Sequence, residues 1–401
     1  MASDVVATAW PATGAEVRPW QSSTPRELMS RAVRERHDGP YQAAVVPLIA
    51  QLEPSLPSDV VALDAEAAAE IARFDADVGS DPVPFETVML RSESASSSMI
   101  ENLTSGARAI VLAEMGSREK RNATLVVGNV AAMRAAIRLA GDLDEEAILA
   151  MHRALLQDSE PDIAGRWRGQ QVWIGGDASG PHGAEFVPPH HEHVSSLMGD
   201  LVAFGRRTDL PVLTQVALAH AQFETIHPFP DGNGRTGRAL VHALLRRHRL
   251  TRCVTVPVSA GLLTDTPAYF AALMAYRAGD PAPIVERFAT ASFLAIVNAR
   301  RLVADLHAIR ERWAAVIRAR RGATAWRVAD LLLRQPIVDA ATVARELGVT
   351  SGNVPRAIAP LVEAGILVES TGHSRNKVWQ AGEVLAAVDD FAARAGRRSL
   401  D

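Results

Sequence analysis

HPFPDGNGRTGR, running from His227 to Arg238, gathers a histidine, a carboxylate, three glycines and two arginines in one short stretch. By spelling, Gly232-x-Gly234-x-x-Gly237 matches a dinucleotide-binding loop, but that loop follows a β-strand and is answered by a carboxylate about 20 residues on. Here an apolar helical pattern, Val212 to Ile226, leads into the stretch. A calcium loop opening at Asp231 fails as well, because Thr236 falls where the turn glycine belongs and His242 where the bidentate glutamate belongs. What remains is a loop between two helices, the second expected from Arg235 to Leu250. Its glycines let backbone N–H groups turn inward beside a helix N-terminus, which is an anion site.

The side chains of the stretch fit a polyphosphate. Arg235 and Arg238 lie three residues apart and reach one region from a single helical turn, and the guanidinium fork matches phosphate oxygens. Asp231 offers the hard oxygen that magnesium takes when it bridges phosphates. Histidine titrates near neutrality, so His227 can accept a proton from an incoming hydroxyl.

The rest of the chain sets the frame. With 401 residues, 48% hydrophobic and 22% charged, there is material for two or three domains. A formal net charge of -4 gives no global attraction to nucleic acid or anionic membranes. The single cysteine, Cys253, excludes an internal disulfide framework and points to a reducing, cytoplasmic setting. The opening residues, MASDVVATAWPATGAEVRPWQSSTP, lack the pattern of a secretory signal and read as a loose tail. No uncharged apolar run approaches a membrane span, so no membrane is expected.

Helical periodicity covers Ser58 to Val78, Phe85 to Leu103, Thr124 to Leu139, Asp144 to Gln157 and Glu192 to Phe204, and the centre is therefore mainly α. One interruption, GQQVWIGGDASGPHGAEFVPPH, has two short β-type runs at Gln171 to Ile174 and Glu185 to Val187 around a glycine-rich turn, predicting a hairpin. His182, His190, His191 and His193 nearby read as a polar helix start rather than a metal set. Leu302, Leu306, Ile309, Trp313 and Ile317 mark a long helix with an arginine-rich outer face, and the segment from Ala323 reads as helix, turn, helix and hairpin, a winged helix-turn-helix.

HPFPDGNGRTGR resembles the Fic motif, HxFx(D/E)GNGRxxR, at every defining position. The resemblance implies a helical core that transfers AMP from ATP to a protein hydroxyl with Mg2+. In that reading His227 is the base, Asp231 the metal ligand and Phe229 the anchor of the loop. Gly232, Asn233 and Gly234 form the anion nest, Gly237 belongs to the same phosphate-binding set, and Arg235 and Arg238 hold phosphates. The hairpin resembles the target-docking flap of Fic proteins, with Val172, Trp173, Ile174 and Phe186 registering a target segment by main-chain pairing. Ser97-x-x-x-Glu101-Asn102 is similar to the inhibitory motif of self-restrained Fic proteins, which implies that Glu101 competes with ATP phosphate for Arg238. Other Fic-type proteins transfer other phosphate-containing groups or remove AMP, and a nucleotide-sensing DNA-binding regulator is the alternative of a different class.

The implied organisation is an N-terminal accessory region with the inhibitory helix over 1–110, a Fic core over 111–300, a linker helix over 301–322 and a winged helix over 323–395. That last module is expected to be separable from the core. From Ala323 onward nine basic residues face nine acidic ones, so protein docking or homodimer contacts fit it better than DNA binding. Its second helix, Ser351 to Ala364, offers only Arg356 and Asn353 as base readers and is expected to kink or shorten at Pro360, while Arg375 and Lys377 in the wing speak for DNA.

Overall fold

The computed structural model describes residues 9–22, 29–177, 179–370 and 377–396. In chain order the elements are β1 (Gly14–Arg18), α1 (Arg31–Arg36), β2 (Tyr41–Val45), α2 (Ser58–Gly79), α3 (Glu86–Ile100), α4 (Ala107–Glu114), α5 (Arg121–Leu139), α6 (Glu145–Leu156), α7 (Val194–Gly205), α8 (Val212–Ile226) and α9 (Asn233–Arg247). Then follow α10 (Val258–Leu263), α11 (Thr266–Arg277), α12 (Ala282–Val316), α13 (Thr324–Arg334), β3 (Ile337–Asp339), α14 (Ala340–Leu347), α15 (Val354–Glu363), β4 (Val368–Glu369), β5 (Val378–Gln380) and α16 (Gly382–Gly396). The mainly α expectation holds, and the helix from Leu302 to Ile317 is the last part of the longer α12. The chain forms two compact units. One comprises Met1–Ala68, Ala131–Leu250 and Thr266–Ala289; the other comprises Ala69–Val130, Thr251–Asp265 and Thr290–Asp401.

In the first unit α8 is the central element. Leu213 to Ile226 are all buried, the polar Thr214, Gln215, His220, Gln222, Glu224 and Thr225 among them, and α7, α9 and α11 pack on it. The described part of the opening segment, residues 9–22, is not a loose tail. β1 pairs antiparallel with β2, Gly14 opposite Val45 and Arg18 opposite Tyr41, and Thr13 donates to the Arg277 carbonyl through both its amide and its hydroxyl, each at 2.8 Å. The tail reading failed because a lone five-residue strand without its partner has no periodic signal of its own.

In the second unit α3 is a serine-rich buried helix packed against α10 and α16. Small side chains let helices approach closely, and the Ser94 and Ser98 hydroxyls satisfy themselves on the carbonyls of Leu90 and Ser94 at 2.8 Å. Arg121–Asp142 is apolar and long enough to cross a membrane by composition, but half of that window is buried. Its fully buried Asn129 donates to the Ser94 carbonyl and the Ser98 hydroxyl, the behaviour of an interior helix.

The C-terminal segment has the order of a winged helix: α13, β3, α14, a turn at Gly348, α15, then β4 and β5, with sheet order β3-β5-β4. Pro360 does not end α15, which runs through it to Glu363; the helix is instead short at its start, where Ser351–Asn353 forms a 3-10 turn. Arg375 lies outside the described residues, and Lys377 pairs with Glu369 at 2.8 Å. The module is not a separable appendage. Ile337 and Leu385 share an apolar cluster with Ala107 and Val111, and Arg91 donates to the Arg334 carbonyl.

One contact of that packing caps a helix from outside. Gly106 at the start of α4 has no capping side chain, and Asp389 on α16 accepts from the Ala107 amide at 2.7 Å. Loss of a capping acceptor costs about 0.5–2 kcal/mol, so Asp389→Ala is expected to lower stability by that amount in denaturant unfolding.

Candidate active site

The loop from His227 to Gly232 is closed at both ends by left-handed residues. α8 ends at His227, φ 50 and ψ 61, whose amide donates to the Phe223 carbonyl at 2.9 Å. α9 starts after Gly232, φ 76 and ψ 10. Glycine is required at 232 on two counts, since a Cβ there would also lie 2.9 Å from Leu155 Cδ2. α9 begins at Asn233, two residues earlier than the periodicity indicates, so its first-turn N–H groups point out of the loop itself.

Inside the loop, Asn233 brackets the backbone of Phe229: its Oδ1 accepts from the Phe229 amide at 2.9 Å and its Nδ2 donates to the Phe229 carbonyl at 2.8 Å. The Asn233 side chain is thus committed to closing the turn. Phe229 is fully buried and stacks on His152, with centroids 3.7 Å apart and planes 6° from parallel; Trp167 lies beside it. His152 also reads the loop. Its Nδ1 accepts from the Gly165 amide at 2.9 Å, which leaves the proton on Nε2, 3.0 Å from the Asp231 carbonyl.

The charged groups sort by exposure. The Asp231 carboxylate is 53% exposed and pairs with buried Arg235 at 3.3 Å. Arg238 is buried on the next turn of α9. The His227 imidazole is 21% exposed, with Nδ1 4.0 Å from the Glu224 carboxylate. Gly237, expected among the phosphate-binding residues, faces α8: a Cβ there would meet Glu224 Oε1 at 2.8 Å and Phe223 Cδ1 at 2.9 Å, so its role is close helix packing. Among the described residues no group of three or more His, Cys, Asp or Glu could hold a metal ion. A cation here would therefore have Asp231 and substrate oxygens, which is the habit of magnesium.

Among the described residues the predicted hairpin is reduced to one antiparallel bridge, Ile174 opposite Phe186, with Gly175, Gly176 and Gly183 at positive φ in the turn region. It is held by tertiary contacts instead. Trp173 meets Trp20 edge to face, and the Phe186 ring lies 3.8 Å from the Arg277 guanidinium carbon. Gln171 bridges to the Pro188 carbonyl at 2.9 Å, and the Ala44 amide of β2 donates to the Val187 carbonyl at 3.0 Å. Val172 is half-buried. The His190 ring lies 3.2 Å from the Glu192 carboxylate and the His193 ring 3.3 Å from that of Glu16, around a 3-10 turn.

Ser97, Glu101 and Asn102 lie in the second unit. Ser97 is buried on α3, while Glu101 and Asn102 are exposed just past its end. The Leu103 amide donates to Ser98 and the Asn102 amide to Met99, both at 3.0 Å, with Asn102 at φ 60. This is a Schellman ending, and its left-handed residue is the reason for asparagine or glycine at that place.

Residues that sequence reasoning passed over are His152, Arg168, Glu224 and Arg277. None stands in a recognised motif; His152, Arg168 and Arg277 act across long sequence separations, and Glu224 stands three residues before His227. Burial pushes the His152 pKa down to about 4, whereas in the unfolded chain it titrates near its ordinary value of about 6.5. Between those values the unfolded state binds the extra proton, so stability falls as pH drops through the window. His152→Gln has no such group. The stability gap between wild type and variant, read from denaturant midpoints, is expected to narrow by up to about 3 kcal/mol between about pH 7 and pH 4.

The family model described as Fic/DOC family matches residues 142–245. "Protein adenylyltransferase fic-1" of Caenorhabditis elegans is 33% identical over 150 residues, 36% of this chain and 26% of that protein. "Protein adenylyltransferase Fic" of Nematostella vectensis is 35% identical over 103 residues, 25% of this chain and 22% of that protein. The chain thus spans about a quarter of the length of these curated relatives. A solved Fic family protein from Desulfovibrio desulfuricans aligns over 82% of this chain and 97% of its own, with TM-score 0.50 and 22% identity, a likeness of fold. Residues 142–245, which hold His152, Arg168, the hairpin and the whole His227–Arg238 loop, are the part of the chain that matches the Fic/DOC family model.

Proposed function

We propose that this chain is a magnesium-dependent protein adenylyltransferase that moves AMP from ATP to a Ser, Thr or Tyr hydroxyl of a protein. The observation that carries this reading is the joint placement, on one rigid loop, of partly exposed His227, Asp231 and the N-terminus of α9. His227 takes the proton of the target hydroxyl as its oxygen bonds to the α-phosphorus, and the bond to pyrophosphate breaks. The first-turn N–H groups at Asn233 and Gly234, with Arg235 and Arg238, neutralise the phosphates. Bound magnesium, held by Asp231 and the nucleotide, would offset charge on the departing pyrophosphate.

The hairpin at Val172 to Ile174 and Phe186 is the docking edge for an extended target segment. The accessory region over 1–110 restrains transfer through Ser97, Glu101 and Asn102, the core over 111–300 performs it, and the winged-helix segment over 323–395, in one unit with α3 and α4, takes a protein partner or a second copy. The exposed single Cys253 fits a reducing cytoplasm.

Incubation with labelled ATP, UTP and GTP followed by detection of labelled protein tests the reaction class. His227→Ala is expected to keep ATP affinity and lose about 10²–10⁴-fold of the transfer; comparable labelling by the variant removes His227 as the base. Glu101→Gly is expected to raise labelling strongly with little change in thermal stability, and equal labelling would remove Glu101 as a restraint.

A further inference from the structure

One buried guanidinium touches both the His227 loop and the two stems of the hairpin. Arg168 is 2% exposed. Its Nε donates to the His227 carbonyl at 2.9 Å, and its Nη2 donates to the Ile226 carbonyl at 3.4 Å and to the Pro189 carbonyl. Nη1 donates to the Gln170 carbonyl at 3.0 Å, and the Arg168 amide donates to the Pro228 carbonyl at 2.9 Å. Three successive carbonyls at the end of α8 and one on each side of the hairpin therefore accept from one residue.

From this geometry we infer that Arg168 is a positioning residue that fixes the His227 loop and the target-docking hairpin on one shared support. The inference rests on the adenylyl-transfer reading for its chemistry, but not for its geometry. His227 is a non-glycine residue in the left-handed region, a conformation that persists only where the surroundings over-determine it. Arg168 supplies that constraint by holding the carbonyls of Ile226, His227 and Pro228. The same cation holds Gln170 and Pro189, the residues through which the chain enters and leaves the hairpin, so the hairpin cannot shift its base without disturbing these bonds.

Arginine is the residue for this task. Its donors are spread over a rigid plane and reach carbonyls in several directions, whereas a lysine offers all its donors from one atom. The carbonyl end of α8 also favours a cation. Burial lowers the Arg168 pKa to about 10, which leaves it charged at neutral pH.

The test uses the full chain. In Arg168→Lys, ATP·Mg affinity measured by calorimetry and the KM for ATP are expected to stay near wild type, because the first turn of α9 is untouched. The kcat for labelling is expected to fall about 10²-fold, the scale of a small misplacement of reacting groups. Hydrogen exchange is expected to accelerate together at the amides of Ile174, Glu185 and Phe186 in the hairpin and of His227 and Phe229 in the loop, with β1 unchanged. Acceleration in only one of the two segments, in neither, or a kcat within about threefold of wild type overturns the inference.

A second measurement needs no variant. Native-state exchange of the wild type in rising urea is expected to give those hairpin and loop amides one common opening transition; separate transitions overturn the inference even if Arg168→Lys fails to fold. A wild type that transfers no nucleotide would refute the functional reading, while the exchange measurements would still decide the role of Arg168.

Discussion

The two hydrogen bonds between the Asn233 side chain and the backbone of Phe229 are the constraint on which the site depends. They close the turn between α8 and α9 into a ring whose one apolar member, Phe229, is sunk among His152, Trp167 and Phe223. Gly232 lies inside that ring and α9 starts where it closes, while the carbonyls of Ile226, His227 and Pro228 just before it are held by Arg168. A partly exposed imidazole, a half-exposed carboxylate and a helix N-terminus are then presented together.

The neutral imidazole of His152 is the second layer of that arrangement. Its tautomer is set by the Gly165 amide on one side, so the other side is always a donor to Asp231. A buried polar group that is fully paired makes a site rigid, and the same group left half paired would be costly. Arg168 works by the same logic with a charge: burial is tolerable because each face of the guanidinium finds carbonyl oxygen.

Several letters that read as functional signatures have structural causes. Gly237 is glycine because Phe223 and Glu224 on α8 leave no room for a Cβ. Asn102 occupies the left-handed position that terminates α3, and the serines preceding it let that buried helix pack tightly while bonding to their own backbone. In the C-terminal segment, Asp389 completes the start of α4 and Leu385 lies in the cluster with Ala107 and Val111, so this segment is built into the second unit rather than tethered to it.

The sequence by itself determined the mainly helical class, most helix positions, the winged-helix order and the composition of the His227–Arg238 loop. Each of these rests on periodicity or on neighbours within a dozen residues, and such signals are written locally. Only the tertiary structure decided that Gly14–Arg18 form a strand, that the hairpin is bridged at Ile174 and Phe186 and braced by Trp20 and Arg277, and that His152 and Arg168 hold the loop from 79 and 59 residues away. Strand pairing, cation–aromatic contact and buried hydrogen bonds to carbonyls are made between segments far apart in the chain, and a lone arginine or histidine carries no local mark of the carbonyl it will meet.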